Sequence, residues 1–196
     1  MFLVAGLGNP GEEYALSPHN LGFMVVDRLA ERHGIRITRR DSKALVGVGE
    51  IDGQQVMLAK PQTFMNLSGT SLAPLMEKHG IELDRLVVVY DELDLPWMAV
   101  KIKPKGSAAG HNGMKSVIQS LKTSEIVRMR VGTHPGHPLN SGVDYVLAPI
   151  KRSQRKELDE LVDYAASGVR SIIAEGVEKA MTMFNRRAPG LNKEEE

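Results

Sequence analysis

The chain has 196 residues, 42% of them hydrophobic, enough for one domain with a full core and short of what two ordinary domains need. No window approaches the roughly 18 uninterrupted apolar residues of a membrane span, and the opening MFLVAGLGNPG lacks the basic run and cleavage site of a signal peptide, so a cytosolic protein is expected. Cysteine is absent, which removes disulfides, thiolate metal sites and a cysteine nucleophile together, and the net charge is only +1.

Phe2 to Leu7 is a short apolar run ending in glycines, the pattern of a buried strand that delivers a loop at its carboxyl end. Apolar residues at 21, 24, 25, 29 and 30 with a stop at Gly34 predict an amphipathic helix over Leu21 to His33. Ala44 to Ile51 and Gln54 to Ala59 flank Asp52 and Gly53, a dipeptide that supplies positive φ for a two-residue hairpin, so these strands are expected to be antiparallel. A second helix is expected over Leu67 to His79, ending at Gly80, and Leu86 to Tyr90 reads as a central strand. Met98 to Lys103 and Ile126 to Gly132 read as further strands, with a helix over Asn112 to Leu121 between them. Lys151 to Glu175 puts Leu158, Leu161, Val162, Ala165, Val169, Ile172 and Ile173 on one helical face, and Val177 to Phe184 continues it after Gly176. Asn192 to Glu196 is expected to fray. No repeat, low-complexity segment or linker divides the chain, so residues 1–196 are read as a single α/β domain.

Charge is unevenly spread along these elements. Between Trp97 and Arg130 the bases Lys101, Lys103, Lys105, Lys115, Lys122, Arg128 and Arg130 stand against the single acid Glu125, so this stretch carries +6 and the remainder −5. Such a stretch suits an anionic partner, although a solvated basic face gives the same count.

Gly6, Gly8 and Gly11 match the glycine fingerprint of dinucleotide sites, but the context argues against that use. There the helix begins at the last glycine, whereas here Glu12, Glu13 and Pro18 intervene, and two acids would repel a phosphate. The next strands form a hairpin rather than a parallel strand ending in a ribose-binding acid.

His19 and Asn20 precede the first long helix, where the positive end of the dipole disfavours imidazolium and leaves a neutral base, or simply a capping or surface histidine. Asp91 follows the LVVVY run, where α/β proteins place their sites, and can either orient His19 or start a turn with Glu92. Asn66 in TFMNLSG and Asn112 in GHNG read equally as helix caps. Ser107 lies in GSAAG rather than a nucleophile elbow, His134 and His137 sit in a Pro/Gly loop, and no metal is expected. A general base, an acid that orients it, several amides and a basic surface remain, a set that suits direct attack of water on an ester.

GLGNPG with Tyr14, then HNLGF, KPQTFMNLSG, VVVYDELDLP, GSAAGHNGMKS and RMRVG occur in order from Leu3 to about Gly132. This ordered set resembles the bacterial-type peptidyl-tRNA hydrolases, which release tRNA by hydrolysing the ester between a peptide and the terminal ribose. The resemblance implies a monomeric single-domain α/β sandwich around a mixed, mostly parallel central sheet flanked by helices, with no cofactor and peptidyl-tRNA as partner. It further implies His19 as catalytic base with Asp91 as its partner, and Asn9, Asn66 and Asn112 as amides that position substrate and water. It places Tyr14 and Met65 at the cleft, and Lys101, Lys103, Lys105 and Arg130 against the tRNA. Ser17 and Pro18 stand where a threonine-rich approach is common, GSAAG replaces a run often richer in glycine, and Glu92 replaces a frequent second aspartate. The rival readings are an RNA-binding protein of the same fold without catalysis, a dinucleotide-dependent enzyme and a generic small-ester hydrolase.

Overall fold

A computed structural model describes residues 1–186 and residue 188. Its strands are β1 (Phe2–Gly6), β2 (Arg39–Asp41), β3 (Ala44–Ile51), β4 (Gln54–Pro61), β5 (Leu86–Pro96), β6 (Val100–Lys103) and β7 (Val127–His134). They form one sheet in the order β2-β3-β4-β1-β5-β7-β6. The four middle strands are mutually parallel, while β2, β3 and β6 are joined antiparallel at the two margins. The helices among the described residues are α1 (Leu21–His33), α2 (Gly69–His79), α3 (Asn112–Leu121), α4 (Gly142–Leu147), α5 (Arg155–Glu175) and α6 (Val177–Phe184). The expected fraying of Asn192 to Glu196 lies outside the described residues. No helix among the described residues is long and apolar enough to cross a membrane.

The central strands are apolar throughout because both faces are covered. Phe2 and Val4 of β1, with Val87 and Val89 of β5, pack against α1 and α5, whereas Leu3, Ala5, Val88 and Tyr90 face α2 and α3. Asp52 and Gly53 adopt positive φ between β3 and β4, as the hairpin requires. Gly34 and Gly80 close α1 and α2 in the left-handed conformation.

Three elements differ from the sequence expectation. β5 runs on to Pro96 because β7 keeps pairing with it past Tyr90, so Asp91 and Glu92 lie within a strand and do not start a turn. β2 and α4 carry too few buried residues to show a period. β2 is instead held through Asp41, which accepts hydrogen bonds from His79 Nε2 at 2.8 Å and Lys78 Nζ at 3.0 Å on α2. The bond from His79 is the main cause that holds the Asp41 carboxyl down at about 2.

The glycines of GLGNPG serve packing. A Cβ on Gly6 would lie 2.1 Å from the Gly22 carbonyl oxygen, and one on Gly22 would lie 2.4 Å from the Val89 carbonyl oxygen. The first turn of α1 therefore rests directly on the carboxyl end of β1 and on the neighbouring part of β5. A Gly8 Cβ would likewise meet the Phe23 ring at 2.7 Å. Because backbone atoms cannot step aside, Gly22→Ala is expected to lower stability by about 1–3 kcal/mol, the usual range for overpacking. Urea unfolding checks this, and an unchanged midpoint would show that α1 can move away from the sheet.

Candidate active site

The loop after β1 and the middle of β5 bring Asn9 and Asp91 to one cleft of about 570 Å³. Its lining also includes His19, Met65, Asn66, His111 and Asn112, with apolar contributions from Phe64, Leu93, Val143 and Leu147. Carboxyl ends of parallel strands favour such a site because loops diverge there.

Asp91 is 2% exposed and is shared by two imidazoles. His19 Nδ1 lies 2.9 and 2.8 Å from its two oxygens, and His111 Nε2 lies 2.9 Å from Oδ1. The two histidines reach it from different elements, His19 from a tight turn before α1 and His111 from the position preceding α3. His111 Nδ1 accepts the Met114 backbone N–H at 3.1 Å, which makes His111 the cap of α3 and puts its ring proton on Nε2, toward Asp91. Burial alone would push the Asp91 carboxyl up, but charge and hydrogen bonds from His111 and His19 outweigh it and hold the group well below the usual carboxylate range. An ionised Asp91 requires the proton of neutral His19 to sit on Nδ1. The Nε2 lone pair is then left for the cleft.

The asparagines divide into fixed and free. Asn20 is buried and grips the Asn9 backbone at both ends, accepting its N–H at 2.8 Å and donating to its carbonyl at 2.9 Å. Asn9 Oδ1 accepts the Met65 N–H at 2.8 Å, so its remaining Nδ2 donors are turned to the cleft it lines. Asn66 and Asn112 are exposed at the same cleft. The capping readings of both are corrected: Ser68 precedes α2 and makes no side-chain capping bond to it, and His111 caps α3.

Tyr14 is half-buried in the turn Glu12–Tyr14 and is not among the residues that line the cleft. Lys101 and Lys103 lie opposite Arg130 and Arg128 across β6 and β7, with Lys101 and Lys105 exposed. Arg130 Nε pairs with buried Glu92 at 3.1 Å, which ties the basic strands to the cleft wall. Arg128 leaves the expected basic face. At 1% exposure it donates to the carbonyls of Ser107, Ser124 and Ile126 and so clamps the GSAAG loop.

His19, Asp91 and His111 stand close enough to be weighed as metal ligands. The proton on His111 Nε2 leaves that nitrogen no lone pair to give to a cation, so the group is better suited to hold protons.

The peptidyl-tRNA hydrolase family model matches residues 3–193. The chain belongs to this family. A peptidyl-tRNA hydrolase of Solibacter usitatus (strain Ellin6076) is 80% identical over 195 residues, covering 100% of both chains. That of Bacillus subtilis (strain 168) is 42% identical over 189 residues, covering 95% of this chain and 100% of the relative. The crystal structure of peptidyl-tRNA hydrolase from Acinetobacter baumannii superposes with a TM-score of 0.89 at 31% identity, covering 96% of each chain.

Sequence reasoning about this family member left out His111 and Asn20 as site residues. The signal for Asn20 was its place beside His19. That for His111 was the GHNG run, where an imidazole takes the capping task ordinarily given to a short oxygen side chain. The structure thus separates two kinds of loss. Asn66→Ala and Asn112→Ala are expected to keep stability within about 0.5 kcal/mol, because neither side chain caps a helix. His111→Ala loses the cap and a partner of a buried carboxylate, and is expected to cost 1 kcal/mol or more. Thermal melting of the three variants checks this, and a destabilised Asn66 or Asn112 variant would restore the capping reading.

Proposed function

We propose that this chain hydrolyses the ester joining a peptide to the terminal ribose of tRNA, with His19 as the general base. The observation that carries the reading is the shared Asp91 carboxylate, which orients the His19 ring with Nε2 toward a cleft lined by amides. His19 Nε2 takes a proton from water as the water oxygen attacks the ester carbonyl carbon. Asp91 stabilises the imidazolium so formed. The carbonyl oxygen becomes an oxyanion that accepts hydrogen bonds from Asn9, Asn66 or Asn112. The bond to the ribose oxygen then breaks, and the imidazolium returns its proton to that oxygen, leaving a free peptide acid and a tRNA hydroxyl. The scheme uses water and groups of one chain, in keeping with a monomer.

Lys101, Lys103, Lys105 and Arg130 are proposed to meet tRNA phosphates. Lys101 and Lys105 are exposed on this margin of the sheet, where lysines can reach a polyanion. A protein that only bound RNA would have no use for a buried carboxylate holding two imidazoles at a cleft.

One release assay on N-acetyl-aminoacyl-tRNA separates the two sets of residues. His19→Ala is expected to lower kcat by about 10² to 10⁴ with KM little changed. Lys103→Ala is expected to raise KM with kcat kept, and to lower the logarithmic salt slope of binding by about 0.7 to 0.9. Lys103 suits this test better than Arg130, whose removal would strand buried Glu92. More than about a tenth of wild-type kcat in His19→Ala would exclude it as the base.

A further inference from the structure

A second groove of about 450 Å³ lies beside the cleft, behind Phe64, which lines both and is 62% exposed. It runs between the β2–β3 turn and the start of α2, and its lining includes Arg40, Lys43, Thr63, Leu67 and Thr70. Arg40 and Lys43 are exposed, and neither has an ion-pair partner among the described residues; nearby Asp41 is already engaged by Lys78 and His79. The Thr63 hydroxyl is buried without a hydrogen-bond partner. Ser42 and Lys43 form the turn with φ of 48° and 61°, a conformation that ordinary side chains rarely adopt and that asparagine and glycine usually fill. The turn is held there by the Gln62 N–H, which donates to the Lys43 carbonyl at 2.8 Å, and by the bonds from Asp41 to α2. A strained, anchored turn that presents an unpaired lysine beside an arginine is built for an anion.

Position in the sheet identifies which anion. The basic strand β6 and the β2 edge are six strand spacings apart, about 29 Å, with the β1–β5 cleft between them. A tRNA held at β6 brings its terminal ester to His19 from one side, and the chain that continues to the other side is the peptide. β3, where the groove lies, is roughly 12 Å across the sheet from the boundary of β1 and β5 at the middle of the cleft, a span that about four extended residues cover. The opposite wall of the cleft carries exposed Asp94, which repels an acidic side chain. We propose, resting on the function given above, that this groove is a peptide subsite in which Arg40 and Lys43 favour an aspartate or glutamate about four residues before the ester. Phe64 and Leu67 supply the apolar floor that the intervening side chains cover.

The test compares N-acetylated pentapeptidyl-tRNAs that differ only by Glu or Gln at the fourth residue before the ester, with N-acetyl-aminoacyl-tRNA as the substrate that cannot reach the groove. Wild type is expected to favour the Glu substrate about three- to tenfold in kcat/KM at low salt, as two partly exposed ion pairs allow. The double variant Arg40→Gln, Lys43→Gln is expected to lose that preference while hydrolysing N-acetyl-aminoacyl-tRNA at the wild-type rate. Arg40→Glu with Lys43→Glu should favour a Lys-bearing substrate over the Gln one. Equal rates on Glu and Gln in wild type, or a preference that survives in the double variant, would overturn the proposal. So would a double variant slowed equally on N-acetyl-aminoacyl-tRNA, since the groove would then hold the tRNA end. Turnover of N-acetyl-aminoacyl-tRNA by wild type tests the hydrolase reading separately.

Discussion

A buried carboxylate shared by two imidazoles is the interaction on which this site depends. Asp91 is cut off from water, and an ionised group in that position must be paired to be tolerated. His19 and His111 provide that pairing from two different elements, so the turn before α1, the strand β5 and the start of α3 are bound to one point. The carboxylate in return settles which nitrogen of each ring carries the proton. Much of the surrounding structure serves to keep this geometry. The close approach of Gly6 and Gly22 fixes the height of α1 above the sheet, and Asn20 clamps the loop whose Asn9 holds Met65.

Charge is arranged asymmetrically around the cleft. Lysines lie on the β6 side, with Glu92 and Arg130 bridging to the cleft wall, while Asp94 faces the cleft itself. Beyond Phe64 the sign turns positive again at Arg40 and Lys43. A substrate with a polyanionic end and a peptide end has two distinct paths out of such a site. The apolar wall between them is suited to side chains of many shapes, because burial of apolar area is non-directional.

The sequence carried the fold well where burial imposes a period. The first long helix and its glycine stop, the Asp52–Gly53 hairpin and the helix over Asn112 to Leu121 appear at the expected positions, since each rests on apolar spacing or on positive φ. β2 and α4 were not legible, because each buries only one residue and so shows no period; β2 is held by its pairing with β3 and by the tie from Asp41 to α2. In the site, placement at a helix start and after an apolar run left both His19 and Asp91 with structural alternatives, and it was the family resemblance that implied their pairing. His111 could not be paired with Asp91 from the sequence, because its role arises from a contact with a strand 20 residues away and from a capping bond that imidazole seldom makes. Arg128 misled for the reverse reason. Alternation along β7 places it beside Lys103, but its guanidinium turns inward to satisfy three carbonyls that the strand pattern does not reveal.

The tautomers of the two histidines test this arrangement most directly. Long-range ¹H–¹⁵N correlation of the imidazole rings, at a pH where both are neutral, reads which nitrogen of each carries the proton. His19 is expected to be protonated on Nδ1 with a free lone pair on Nε2, and His111 to be protonated on Nε2 with Nδ1 accepting from Met114. His19 protonated on Nε2 would mean that Asp91 does not orient it, and the ring would then have no base to offer to water in the cleft.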